Sequence, residues 1–183
     1  RARNSLRLPA NFILAGAMNP CPCGYFGDKE KECRCTANEV FRYKKRLSGP
    51  LLDRIDIQID VPRVKTEELM TASAPENQKN DLEETRRKIK QARERQEERF
   101  KTNGWRGIYA NADLSSRQIE QTINLEADGE KFLKRMLENS FVSARGYYRI
   151  LKISRTIADL EGSGAVGERH LAEAFQYRMR LNE

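Results

Sequence analysis

Phe12 to Cys23 reads FILAGAMNPCPC, and the rest of the chain is organised around it. The run Phe12-Ile13-Leu14-Ala15 is short and apolar, and the stretch turns polar at Asn19-Pro20. That pattern is expected of a buried strand over residues 12–18, in a parallel sheet covered on both faces. Parallel sheets bind ligands just beyond the carboxyl ends of their strands. Asn19 stands at such an end and is the first candidate for chemistry. Cys21 and Cys23 follow at once and open a loop over residues 19–35 that contains Pro20, Pro22, Gly24 and Gly27.

Working outward, residues 1–11 are polar and basic and read as a loop or the second arm of a hairpin. Downstream, Thr36-Ala-Asn-Glu39 fits a capping box, in which hydroxyl and carboxylate satisfy orphan backbone donors. A helix from about Ala37 to Leu47 should follow, ended by Gly49-Pro50. Leu51 to Arg54 reads as a short helical turn. Ile55, Ile57, Ile59 and Val61 alternate with Asp56, Gln58 and Asp60, a period of two that predicts a second strand, closed by Pro62.

Past Pro62 the composition changes. Residues 63–76 form a linker with room for a short helix from Thr66 to Thr71. Gln78 to Lys101 is a long charged helix with a thin apolar stripe, Leu82, Ile89, Ala92 and Phe100. Glu83/Arg87 and Glu84/Lys88 sit at the favourable i,i+4 spacing. Residues 102–112 are a loop carrying the only Trp, Trp105. Four helices follow: one capped by Ser115 or Ser116 and running to about Thr122, one from Glu126 to Asn139, one capped by Ser143 and ended by Gly162, and one from about Glu168 to Arg180. The expected organisation is an α/β part over 1–62, a linker and charged helix over 63–104, and an all-helical domain over 105–183.

The 183 residues carry 34 Lys+Arg against 27 Asp+Glu, a formal charge of +7. That balance allows a nucleotide or nucleic-acid partner without requiring one. With 38% apolar and 33% charged residues the chain builds a modest core and long solvated helices. No window resembles a membrane span, and RARNSLRLPAN is not a signal peptide. These features place the protein in the cytoplasm, with its four cysteines reduced.

Five sets of residues are candidates for chemistry. Cys21-Pro-Cys23 and Cys33-Arg-Cys35 supply four thiolates in one loop, enough to close a tetrahedral shell around zinc, with an iron–sulfur cluster as second choice. The loop is too short and polar to fold by burial, so a metal would order it. The alternatives are four free thiols, or disulfides in an oxidised sample. Asn19 offers a neutral amide that orients a water or a phosphate oxygen, or is an ordinary turn Asn before Pro. Arg54 is either an arginine finger reaching a phosphate on a neighbouring subunit or a local ion-pair partner of Asp53 and Asp56. Arg145 lies in the first turn of the Ser143 helix, where a cation opposes the helix dipole unless an anion sits there. Arg149, Lys152 and Arg155 continue along the same side, as a basic binding face or a solvated one. His170 is expected to be structural. The chain has no G-x-x-x-x-G-K-[ST] phosphate loop.

The stretches FILAGAMNPCPCGYFGD, CRCTANEVFRYKKRLSGPLLDRIDIQIDVP and SARGYYRILKISRTIADLEGSGAVGERHLAEAFQYR together resemble the bacterial magnesium-chelatase-like AAA+ proteins of the ComM/YifB family. The resemblance covers residues 1–62 and about 105–180, and it matches the four cysteines. It implies that Asn19 is the sensor-1 residue, Arg54 in LLDRID the arginine finger, and Arg145 in SARG the sensor-2 arginine of a helical lid. It implies ATP and Mg²⁺ as cofactors of a parent ATPase, a homo-oligomeric ring, and DNA as substrate, in natural transformation or branch migration. The family's Walker A and Walker B half is expected upstream of Arg1, so this stretch is expected to be inactive alone. The fold class implied is mainly α with a small α/β part, the C-terminal fragment of a AAA+ module. In the family's sheet order the neighbours of strands 12–18 and 55–61 are missing, so both edges are expected to pair irregularly, pair with another copy, or pack loosely. The competing reading is a zinc-stabilised DNA-binding module using the Cys loop and the Arg149/Lys152/Arg155 face, or a subunit-interaction domain. No membrane partner is expected.

Overall fold

A computed structural model describes residues 12–64, 75–139 and 142–178, with the backbone alone for 75–80. The hairpin arm expected over 1–11, the short helix over 66–71 and the end of the last helix at Arg180 lie outside the described residues. The chain divides into two units, residues 1–48 and 49–183. Its described elements are mainly helical.

In the first unit, residues 12–18 lead without regular structure into the cysteine loop, which is followed by α1, Ala37–Lys44. The Thr36 hydroxyl accepts from Glu39 N and the Glu39 carboxylate accepts from Thr36 N at 2.8 Å, the expected capping box. The helix stops at Lys44 because the next amides turn back three residues, Arg46 N to Tyr43 O and Leu47 N to Lys44 O. Tighter bonds of this kind commonly close a last turn.

The second unit begins with α2, Gly49–Leu52. The long charged helix α3, Pro75–Thr102, follows residues 55–64. A 3₁₀ turn spans Asn111–Asp113, and α4, Ser116–Thr122, is capped by Ser115. Next come α5, Ala127–Asn139, α6, Ala144–Glu161, and α7, Glu168–Gln176. Helix α6 is central and packs against α3, α4, α7 and the 3₁₀ turn, while α7 also packs on α5. Ser143 caps its start, and Gly162 closes its end at φ 80°, a left-handed value that favours glycine. The core joins Phe100, Leu114, Ile119, Leu133, Ile150, Leu151, Leu171 and Phe175. A single parallel bridge, Leu125 to Val166, ties the connections before α5 and α7. Beside it Gly129 is needed for close approach, since a Cβ there would stand 2.8 Å from Val166 O. Among the described residues no helix is long and apolar enough to cross a membrane.

Two expectations are corrected. Neither predicted strand joins a ladder among the described residues. Residues 12–18 and 55–61 lie outside any regular element, with a bend at Asp56, and Ile13 is 96% and Val61 83% exposed. A buried parallel strand needs a neighbour on each edge and cover on each face, and the described chain supplies neither. Among the described residues, the one backbone bond from these stretches to a distant segment is Gln58 N donating to Tyr177 O at 2.9 Å. The seam of α3 is also shorter than its apolar stripe. Ala92, Gln96 and Phe100 are buried, whereas Leu82 and Ile89 are half-exposed, because only the last turns meet α6.

Candidate functional site

The four cysteines converge. Cys21 Sγ lies 3.4 Å from Cys23 Sγ and 3.7 Å from Cys33 Sγ, and Cys23 lies 3.5 Å from Cys33. All four sulfurs fall within 4.8 Å of one another. A tetrahedron built on Zn–S bonds of 2.3 Å has edges of about 3.8 Å, so the sulfur spacing fits such a shell. Local turns create the convergence. Gly24 N donates to Cys21 O at 3.0 Å, closing a turn across Cys21–Gly24, and Gly24 takes φ 85° as the chain leaves that turn. The Asp28 carboxylate accepts from Glu30 N and Lys31 N and shapes the return toward Cys33.

Backbone donors surround the sulfurs. The amides of Tyr25 and Arg34 donate to Cys23 and hold its thiol down at about 6. The Cys23 amide pulls Cys35 the same way, but desolvation and the neighbouring Cys23 and Cys21 sulfurs outweigh it and push Cys35 up to about 12. The loop therefore accommodates its first thiolate easily and its last only with difficulty. A divalent cation would reverse that balance, because a coordinating thiol is deprotonated outright.

Asn19 is exposed, and its amide lies beside Gly24: a Cβ on that glycine would stand 3.8 Å from Asn19 Nδ2. Arg54 is exposed and donates to Pro50 O. It makes no ion pair among the described residues, because both acids beside it are engaged elsewhere. Asp53 accepts from Arg178 Nη2 at 3.0 Å and from Ser143 Oγ at 3.2 Å, and Asp56 pairs with Arg149. Arg145 is exposed in the first turn of α6, likewise without an ion pair among the described residues. The anion at that helix start is Asp53, held on the Ser143 cap.

The basic face expected beyond Arg145 is not one. Arg149 is bound to Asp56, Lys152 Nζ donates to Ala112 O at 2.9 Å, and Arg155 is 1% exposed. Arg155 belongs to a buried network that the sequence reading missed. Its Nε and Nη2 donate to Asp159 Oδ1 at 3.1 and 2.9 Å. Arg99 and Asn111 also donate to the Asp159 carboxylate, and Asn111 N donates to Gln96 Oε1. The network joins α3, the 3₁₀ turn and α6. The available signal was the i,i+4 spacing of Arg155 and Asp159 among Ile153, Ile157 and Ala158. His170, expected to be structural, is buried: Nδ1 accepts from Gly167 N at 2.9 Å and Nε2 lies 3.0 Å from Glu161 Oε2.

Comparison with known proteins supplies context. The family described as magnesium chelatase, subunit ChlI C-terminal, matches residues 79–178, and that described as magnesium chelatase, subunit ChlI, matches residues 1–69. The chain is 38% identical over 178 residues to competence protein ComM of Haemophilus influenzae, covering 97% of this chain and 33% of that protein. It is 35% identical over 179 residues to the uncharacterized protein YifB of Escherichia coli, with coverage of 97% and 33%. The uncharacterized protein Rv2897c of Mycobacterium tuberculosis is 30% identical over 170 residues, with coverage of 93% and 32%. The chain thus spans about a third of the length of the curated relatives it matches.

Proposed function

Because this chain belongs to the magnesium chelatase subunit ChlI family, we propose that it is the sensor, arginine-finger and lid portion of a AAA+ ATPase that acts on DNA. The observation that carries this reading is the state of Arg54. It is exposed and free of ion pairs among the described residues, although an acid stands immediately before it and another two residues after. A finger must keep its charge for a phosphate on another subunit, where a guanidinium fork stabilises developing negative charge. Arg145, exposed at the start of α6, serves as the lid arginine for nucleotide bound in its own subunit. Asn19 orients the attacking water through its neutral amide.

In this reading the partners are the nucleotide-binding half with its phosphate loop and Mg²⁺ ligands, further copies in a ring, and DNA. The resemblance to a transformation-linked family and the charge of +7 support DNA; the engaged state of Arg149, Lys152 and Arg155 moves any DNA contact away from that face of α6. Cys21, Cys23, Cys33 and Cys35 would hold zinc. Bound there, zinc supplies the folding energy of a loop too polar to order itself.

The test is an ATPase assay on the chain joined to its nucleotide-binding half. Arg54→Ala should lower kcat by about 10³-fold or more, the scale of an arginine finger. Mixing it with a variant disabled in the phosphate loop should restore part of the rate, since the finger then acts across a subunit boundary. Full activity of Arg54→Ala refutes the assignment. Metal analysis of the reduced protein should find near one zinc per chain, lost in Cys33→Ser/Cys35→Ser; a metal-free, fully reduced protein refutes the metal centre.

A further inference from the structure

We propose that Asp53 and Asp56 are positioning residues: they clamp the Arg54 segment onto the start of α6, so that Arg54 and Arg145 are held in one rigid relation. The inference rests on the reading of Arg54 as the arginine finger and concerns how that finger is set.

Three sets of bonds make the clamp, all within the second unit. The Asp53 carboxylate accepts from Ser143 Oγ, which lies 3.2 Å from each of its oxygens, so the cap of α6 is itself bound by the residue before Arg54. Arg178, just after α7, donates to Asp53 Oδ1 at 3.0 Å, and its guanidinium also reaches the Ile55 carbonyl at 3.2 Å. Arg149, one turn beyond Arg145, pairs with Asp56. The Gln58 amide extends the attachment by donating to Tyr177 O.

The local chemistry explains why these residues serve. An anion is favoured at a helix N-terminus, and Asp53 occupies that position on α6. Arg178 would be repelled there alone, but Asp53 offsets its charge. The Arg178 side chain is only 10% exposed, so this pair is partly shielded from solvent. The Asp56–Arg149 pair is more open, at 55% and 25%, and its role is geometric. Each acid is thereby kept off Arg54. The same bonds link the lid arginine to the finger, so a tilt of α6 carries Arg54 with it. Nucleotide bound in one subunit then sets the finger presented to the next.

The experiment uses the full chain with its nucleotide-binding half, read by hydrogen exchange and by ATPase kinetics. Asp56→Ala and Arg149→Ala should each raise amide exchange across residues 53–58 several-fold. Each should lower kcat about tenfold with KM for ATP little changed, since a small misplacement of a catalytic group costs up to about 10² in rate. Exchanging the pair, Asp56→Arg with Arg149→Asp, should recover most of the lost kcat, which a merely destabilising change would not do. Unchanged exchange, or full kcat in the single variants while Arg54→Ala abolishes activity, overturns the clamp. If Arg54→Ala leaves hydrolysis intact, the finger reading fails instead, and with it the positioning role, whereas the exchange data still report whether the segment is attached.

Discussion

Replacing Asp159 by Ala should damage the helical unit more than any other single exchange of a polar residue. Asp159 is 0% exposed and its carboxylate accepts from Arg155, Arg99 and Asn111. Two guanidinium groups share this one carboxylate, so the network already carries excess positive charge. Desolvation depresses the Arg155 pKa, and the attraction of Asp159 works against it. Arg155 retains only the carbonyls of Ser163 and Gly164 when the acid is removed. Breaking a buried pair by removing one partner costs about 3–5 kcal/mol, against a total stability of about 5–15 kcal/mol for a domain. At roughly 2–4 °C per kcal/mol for this size, Tm should fall by about 6–20 °C. Thermal and urea unfolding followed by circular dichroism would measure it, with the urea slope unchanged if the native state keeps its compactness. Replacing Arg155 and Asp159 together, by Met and Leu, should cost less than Asp159→Ala alone, because the fully buried cation leaves with its acid and only Arg99, whose side chain is 18% exposed, loses its partner. A loss below about 1 kcal/mol for Asp159→Ala would place the pair in the range of exposed ion pairs and refute the buried-network argument.

Two further outcomes follow from local geometry. Gly129→Ala should cost about 1–3 kcal/mol by overpacking, because its Cβ would stand 2.8 Å from the Val166 carbonyl; Gly164→Ala, which meets nothing within 4 Å, should stay within about 0.5 kcal/mol, and equal Tm values for the two would contradict the close approach. In the metal-free, reduced protein, Cys23 should be alkylated before Cys35 at pH 7, since Cys23 is held at about 6 and Cys35 at about 12. A thiol lowered from 9.0 favours the folded loop above that value and loses its contribution as pH falls through about 6. Mass spectrometry of the labelled peptides decides, and equal labelling at pH 7 would count against the backbone donors on Cys23.

What could be read in the residues beforehand was what is local. The Thr36/Glu39 capping box, the Ser143 cap and the Gly162 stop depend on a few neighbouring positions and stand where their chemistry puts them. The cysteine cluster was legible for the same reason, since all four lie between Cys21 and Cys35. The strands were legible only as pattern. Alternation from Ile55 to Val61 is real, but a ladder requires partners that the described chain does not contain. Long-range pairing was hidden. Asp53 and Asp56 stand beside Arg54 in sequence, yet they bond to Arg178 and Arg149, far along the chain. Arg155 read as one more surface cation because a basic residue's position on a helix does not reveal which neighbours enclose it. Gln96 and Asn111 are buried for a reason that exists only once α3 and the 3₁₀ turn meet.

The short seam of α3 has a mechanical consequence. The helix is 28 residues long, or about 42 Å at 1.5 Å per residue. Its grip on α6 is confined to the turns from Ala92 to Phe100, while residues 81–91 are exposed on every side. Over its described side chains such a rod is held at one end. A rocking of about 10° at Ala92 would sweep Asp81 through roughly 3 Å, given a rise of about 1.5 Å for each residue between them. Small adjustments of the helical core are therefore enlarged along α3 toward Asp81.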